Sequence, residues 1–205
     1  MNQAVLWDEV HNQITWNTDP GDEFLAFMAK HYWGKENLEF LDLGCGTGAS
    51  TLFLTNKGFK VTAVDISKIA CDKLYENIPD KEEHLVKIIN SDILDLDFIK
   101  GSFDCVIAIG LIDCLELEQS NSLFDRIKPW LRPNGRFFGR VLASEIPGEI
   151  KRGNTRARPY LCSEVMQLLD SNEYKGIIKV GTAYISEKML PITSWIFEAT
   201  VMMGT

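Results

Sequence analysis

The 205-residue sequence has no run of 18 or more apolar residues, which argues against a membrane-spanning helix. It has no CxxC pair, and its three histidines, His11, His31 and His84, form no cluster with cysteine, so a metal site has little support. The five cysteines (Cys45, Cys71, Cys105, Cys114 and Cys162) are odd in number and scattered, which suits reduced, buried thiols and not a disulfide framework. Basic residues are scarce: 21 Lys and Arg stand against 29 Asp and Glu, a net charge of −8. A protein that neutralises many phosphates needs a basic surface, so nucleic acid is disfavoured as a partner, although a local basic patch survives in many acidic chains. The first residues, MNQAVLWDEVHNQ, lack the basic and apolar regions of a secretory signal, and the cytoplasm is the expected address. Repeats, low-complexity tracts and linkers are also missing, so one structural domain is expected.

What is present is an alternation of strand and helix. Residues 1–38 read as helical. Asp19-Pro20-Gly21-Asp22 suggests an N-cap at Asp19 with proline at the first helical position, and Phe24, Leu25, Phe27, Met28 and Tyr32 then share one apolar face. Strands are expected over 40–43, 60–64, 85–89, 103–109 and 136–142. Helices are expected over 48–57, 67–77, 117–130 and 162–171, with Gly58 and Pro79 as stops and 93–100 irregular or briefly helical. The strands are continuous runs of Val, Ile and Phe, as when helices cover both faces. Stretches 175–186 and 194–203 are joined by too few residues for a helical crossover, so they read as a hairpin. The expected fold class is α/β: a doubly wound, mostly parallel seven-stranded sheet with an antiparallel C-terminal strand.

Chemistry concentrates in Leu41-Asp42-Leu43-Gly44-Cys45-Gly46-Thr47-Gly48, followed by Asp65 and Asp92. Gly44, Gly46 and Gly48 allow a sharp turn and close approach to a ligand. Asp65 closes a strand, where its carboxylate can accept both hydroxyls of a ribose. Together these features describe a nucleoside-cofactor site. A dinucleotide reading competes, because Gly44-x-Gly46-x-x-Ala49 fits its fingerprint and Asp65 lies 21 residues beyond Gly44. Asp42 before the turn, where a diphosphate would be repelled, Gly48, Asp92 and the short chain disfavour an NAD-dependent enzyme.

The segment resembles the cofactor-binding motif of class I S-adenosylmethionine-dependent methyltransferases, for which the antiparallel final strand is also typical. The resemblance implies S-adenosylmethionine as cofactor, S-adenosylhomocysteine as product, and no metal. It implies that Asp42 helps hold the amino-acid end of the cofactor and that Asp92 faces the adenine amine. Ile66 and Ile93 would sandwich the purine, and the Ile109–Gly110 turn would offer a carbonyl to the ammonium. Cys45 lies within the same loop. Residues 1–38 would then be a helical lid or substrate segment and 39–205 the cofactor-binding domain.

Trp7-Asp8-Glu9, Thr15-Trp16-Asn17-Thr18 and the run from Leu52 to Ser67 are similar to the thiopurine and tellurite-resistance branch, where small molecules or metalloid anions are methylated. That similarity suggests a small, anionic or soft-nucleophile acceptor. Trp16 is a candidate lid over the acceptor; Trp7 reads as a packing staple and His11 as a surface helix residue. Many relatives carry a histidine pair near Asp113-Cys114, which this chain lacks. Asp113 is the candidate replacement as base or acceptor anchor, and reads equally as a helix N-terminal acid. The segment from Arg140 to Arg158 holds Arg140, Lys151, Arg152, Arg156 and Arg158 against Glu145 and Glu149. Read as a loop, it offers Arg140, Arg152, Arg156, Arg158 and Tyr160 to grip an anionic acceptor, or is simply a solvated loop. RNA methylation and a non-catalytic cofactor-binding protein are the alternatives. The expected partner is a small-molecule acceptor, with no membrane and a monomer or homodimer.

Overall fold

Strand β1, Glu39–Leu43, is buried along four of its five residues, which is why it reads as an uninterrupted apolar run instead of an alternating one. In the computed structural model, which describes residues 2–13, 19–144, 150–152, 155–185 and 190–202, it belongs to a seven-stranded sheet. The other strands of that sheet are β2 (Lys60–Asp65), β3 (Val86–Asn90), β4 (Phe103–Ile109), β5 (Leu131–Leu142), β8 (Tyr174–Ile185) and β9 (Leu190–Val201). The order is β3-β2-β1-β4-β5-β9-β8. β1 pairs with β2, β2 with β3 and β4 with β5 in parallel; β9 runs antiparallel to both β5 and β8. The expected doubly wound, mostly parallel sheet with an antiparallel C-terminal strand is the observed one.

The chain divides into two compact units, Met1–Leu96 and Asp97–Thr205. In the first, α1 (Gln3–Gln13) and α2 (Asp22–Tyr32) precede β1, and α3 (Ala49–Asn56) and α4 (Lys68–Asn77) follow β1 and β2. α2 begins later than the sequence suggests. Its N-cap is Gly21, at φ 87°, and Asp19 instead accepts the Gly21 N–H at 2.9 Å in a turn before the helix. Phe24, Phe27, Met28 and Tyr32 are buried as expected, and Tyr32 meets Phe40 of β1 edge to face at 5.2 Å. After α3, Gly58 at φ 82° donates to the Thr55 carbonyl at 2.8 Å, the left-handed helix stop that a side chain would strain.

In the second unit, α5 (Leu117–Trp130) and α6 (Cys162–Ser171) flank β5 and β8. Phe124, Phe137 and Phe197 form a triangle with centroids 5.0–5.7 Å apart, and each is essentially inaccessible. Burying such a ring stabilises a fold by roughly 1.5–3 kcal/mol. Gly139 makes the triangle possible, since a Cβ there would stand 2.0 Å from the Phe197 ring.

Two expectations change here. β5 starts at Leu131 and not at 136, with a register irregularity opposite Phe103 and Cys105 that absorbs the Pro133-Asn134-Gly135 turn chemistry. The basic segment is not one loop: Arg140 lies inside β5, within the strand expected over 136–142, and beyond it β6 (Ile150–Arg152) pairs antiparallel with β7 (Thr155–Ala157). The in-register Lys151–Arg156 and Arg152–Thr155 pairs escaped a reading that followed charge and ignored strand alternation.

Candidate cofactor site

β1 delivers Asp42 to the start of the glycine turn. Gly44 and Cys45 both donate to the Val64 carbonyl, at 2.8 and 3.0 Å, which folds the turn back onto β2. Gly44, Gly46 and Gly48 have φ values of 66°, 54° and 95°, the left-handed region that L side chains avoid. Gly48 then caps α3, and a Cβ on it would lie 2.2 Å from Leu74 Cδ1. The turn therefore needs glycine at position 48 for conformation and for packing.

Two carboxylates flank this turn and are nearly inaccessible, Asp42 at 3% and Asp65 at 7%. Asp42 accepts the Thr51 hydroxyl at 2.7 Å; Asp65 accepts the Gly46 N–H and the Ser67 N–H, each at 2.8 Å. Burial pushes the Asp42 carboxyl up to about 6, the Thr51 hydroxyl opposes that, and the Asp65 charge adds to it. Asp65 is raised chiefly by burial, against its two backbone donors and His11. Among the described residues their hydrogen-bond donors are neutral. This pair of buried acids suits a ligand that brings positive charge and hydroxyl donors, and repels a diphosphate.

Asp92, at the end of the next strand, accepts the Leu94 N–H at 2.9 Å, which fixes the turn carrying the buried Ile93. Ile66 is half-buried beside Asp65 in sequence. Asn90, which sequence reading passed over, donates from its amide to the Asp65 and Ile66 carbonyls at 3.0 Å each and ties the ends of β3 and β2. Cys45 is buried, and its thiol is pushed well up by burial and by the Asp42 and Asp65 charges, so it packs and does not act as a nucleophile. All five cysteines are free.

The reading of His11 is corrected: it is 5% exposed, not a surface residue. α1 amphipathicity is weak in sequence, so only its packing on α4 reveals the buried face. Trp7 lies half-buried with its ring 5.9 Å from that of His11.

In the second unit, Ile109 ends β4 and Gly110, at φ 72°, donates to the Arg140 carbonyl at 3.0 Å. Asp113 sits in a short turn, Ile112–Cys114, before α5 and is 1% exposed. Its carbonyl accepts the Arg158 N–H at 2.7 Å. The Arg158 guanidinium stacks 4.7 Å from the Tyr160 ring and pairs with Glu164, while its Nη1 is buried with no hydrogen-bond partner among the described residues. Tyr160 is fully buried; its hydroxyl meets Ser120 at 3.0 Å and the Ile112 carbonyl at 3.4 Å, a supporting position under Arg158. Asp113, Arg158 and Tyr160 are thus brought together. Trp16 and the side chains of Arg152 and Arg156 lie outside the described residues. Among the described residues, no group of three His, Cys, Asp or Glu side chains could hold a metal ion, and no helix is long and apolar enough to cross a membrane.

Residues 40–135 match a methyltransferase domain family. The chain is 31% identical over 164 residues to the cypemycin N-terminal methyltransferase of a Streptomyces species, covering 77% of this chain and 64% of that protein's length. The chain thus spans less than two thirds of that relative. Among solved structures, a Methanosarcina mazei S-adenosylmethionine-dependent methyltransferase superposes with a TM-score of 0.75 at 16% identity, over 91% of this chain and all of that one. The 1,6-didemethyltoxoflavin N1-methyltransferase of Burkholderia thailandensis, solved with 1,6-didemethyltoxoflavin and S-adenosylhomocysteine bound, gives 0.73 at 19% identity, over 97% of this chain and 81% of that one. With the glycine turn, the strand-end acids and the sheet order already described, these likenesses make residues 40–135 similar to a methyltransferase domain and give the chain the fold of solved S-adenosylmethionine-dependent methyltransferases.

Proposed function

We propose that this chain methylates a small, anionic or soft-nucleophile acceptor in the cytoplasm. The observation that carries the cofactor half is the pair of buried carboxylates, Asp42 and Asp65, on either side of the glycine turn. When bound, S-adenosylmethionine supplies a methyl group already activated on a sulfonium.

The chain's residues have the remaining work. Asp65 takes the ribose hydroxyls on lone pairs left beside its two backbone donors. Asp42 offsets the ammonium of the amino-acid arm, for which the resemblance also implies a carbonyl from the Ile109–Gly110 turn. Asp92 with Ile93 and Ile66 holds the adenine. Backbone approach at Gly44 and Gly46 brings the cofactor close enough to exclude water.

Catalysis then rests on placing the acceptor in line with the methyl. Arg158, held by Glu164 and Tyr160 with one nitrogen unspent, supplies an anion contact, and Arg140, Arg152, Arg156 and Trp16 complete the acceptor side in this reading. Asp113 acts as base or anchor. A thiol or metalloid acceptor needs little base, which agrees with the missing histidines.

The 31% identity to a cypemycin N-terminal methyltransferase supports a second reading, a peptide amine as acceptor. Transfer of labelled methyl to a panel of thiols, selenite or tellurite, carboxylates, a short peptide and RNA separates these readings. Label in small anions or thiols supports the first. Label in peptide alone, or in RNA with strong salt dependence, overturns it.

A further inference from the structure

α1 is fastened to the cofactor half at three points. Asp8 Oδ1 accepts the Ser67 hydroxyl at 2.7 Å and the Ile69 N–H at 3.1 Å, so it caps α4 from outside the helix. Ser67 itself accepts the Ala70 N–H at 3.1 Å and is fully buried. One turn further along, Lys73 of α4 donates to the His11 carbonyl. These contacts fix the rotation of α1 and turn His11 inward.

The inward position is specific. A Cβ on Gly46 would stand 3.6 Å from His11 Cε1, and among the described residues no other heavy atom beyond its two chain neighbours lies within 4 Å of that point. Among the described residues, the imidazole is therefore the group that covers the open side of a glycine whose N–H is bound to Asp65. The charged groups facing it are Asp65 from β2, Lys73 from α4 and Asp8 from α1 itself. Burial holds the ring below its ordinary value, against the pull of Asp65, so it stands as a neutral imidazole near neutral pH. A neutral ring can donate to or accept from a sugar hydroxyl without opposing a positively charged ligand.

We infer that His11 is a cofactor-contacting residue: α1 closes the ribose side of the site, with the His11 ring against the nucleoside that Asp65 holds. The inference rests on the cofactor placement proposed above. It gives the N-terminal helix a binding role that does not depend on the acceptor, and it makes Asp8 and Lys73 positioning residues acting through α1.

The test is S-adenosylhomocysteine binding by calorimetry on the full chain, with thermal melting of the ligand-free protein alongside. His11→Ala weakens binding by roughly tenfold, the loss of one buried polar contact. Asp8→Ala, which leaves His11 in place but frees α1 from α4, weakens binding in the same direction. His11→Gln, able to donate and accept, recovers part of the His11→Ala loss. Unchanged or tighter binding by His11→Ala overturns the inference, since a ring that merely fills the site would be better removed. If His11→Ala lowers the melting temperature, the comparison of His11→Gln with His11→Ala at a temperature where both are folded decides: equal affinities overturn the inference. Failure of the wild type to bind would instead sink the cofactor placement.

Discussion

The hydroxyl of Thr51 lies 2.7 Å from Asp42 Oδ2, so that one turn of α3 supplies the side-chain donor to a carboxylate buried at the end of β1. Neutral donors from Thr51 do not offset the desolvation of a carboxylate, so burial, with the Asp65 charge adding to it, pushes this acid up to about 6. The site keeps a charge that the fold would be more stable without.

Asp42→Asn should therefore stabilise the ligand-free protein, because asparagine still accepts from Thr51 and carries no charge. For a carboxyl raised in the folded state, the favourable protonation is complete below about 3.8 and lost as pH rises through about 6. Above that window the ionised acid costs the fold roughly 3 kcal/mol. Thermal melts should show the mutant ahead by about 5–10 °C at pH 8. The gain should shrink toward nothing at pH 4. The same mutant should bind S-adenosylhomocysteine more weakly at pH 8, a stability gain at the expense of function.

Gly48→Ala carries two penalties. The left-handed φ of 95° disfavours any side chain, and the added methyl meets Leu74, part of the buried cluster of Cys45, Ala63, Leu74 and Ile78. Overpacking of this kind costs about 1–3 kcal/mol, with the backbone strain adding about 1–2 kcal/mol. Denaturant midpoints should fall accordingly, and ligand binding should fall with them if the loop that bends to relieve the clash is, as proposed, the one that meets the cofactor. Gly34, also at positive φ but with open space around it, is the control: Gly34→Ala should show the strain penalty alone.

Asp113→Asn separates acceptor chemistry from cofactor binding. The Arg158 N–H bonds the Asp113 backbone carbonyl, so the substitution leaves that contact intact. S-adenosylhomocysteine affinity should stay within about twofold. Turnover with an acceptor that must lose a proton should drop on the order of 10²-fold, as for removal of a general base. An equal, mild loss for every acceptor would assign Asp113 to structure.

The sheet and the glycine turn were legible in sequence because they rest on local rules. Continuous Val, Ile and Phe runs mark strands covered on both faces, and Gly44, Gly46 and Gly48 sit where only positive φ closes the turn. β4, α5 and α6 match their expected ends residue for residue. What escaped was set by partners distant in sequence. Nothing local marks Asp8 as an anchor, since the groups that use it, Ser67 and Ile69, lie some 60 positions on. His11 reads as exposed because α1 has a weak apolar stripe, and its burial comes from α4 and the glycine turn. Arg140 falls in the expected strand 136–142 and is a rung of β5, but the β6–β7 pairing beyond it escaped because the basic charge of that segment suggested a loop. Asp19 looked like a helix cap because Pro20 follows it, yet Gly21 at φ 87° breaks the chain's path and the helix starts one residue later, at Asp22.

The central claim is that Asp65 and Asp42 frame a site for a nucleoside that carries positive charge and not for a dinucleotide. Calorimetry with S-adenosylhomocysteine and with NAD, on the wild type and on Asp65→Ala, tests it most directly. The account predicts micromolar binding of S-adenosylhomocysteine, loss of that binding in Asp65→Ala, and no binding of NAD by either protein. Binding of NAD in preference, or S-adenosylhomocysteine binding that ignores the Asp65 substitution, would contradict it.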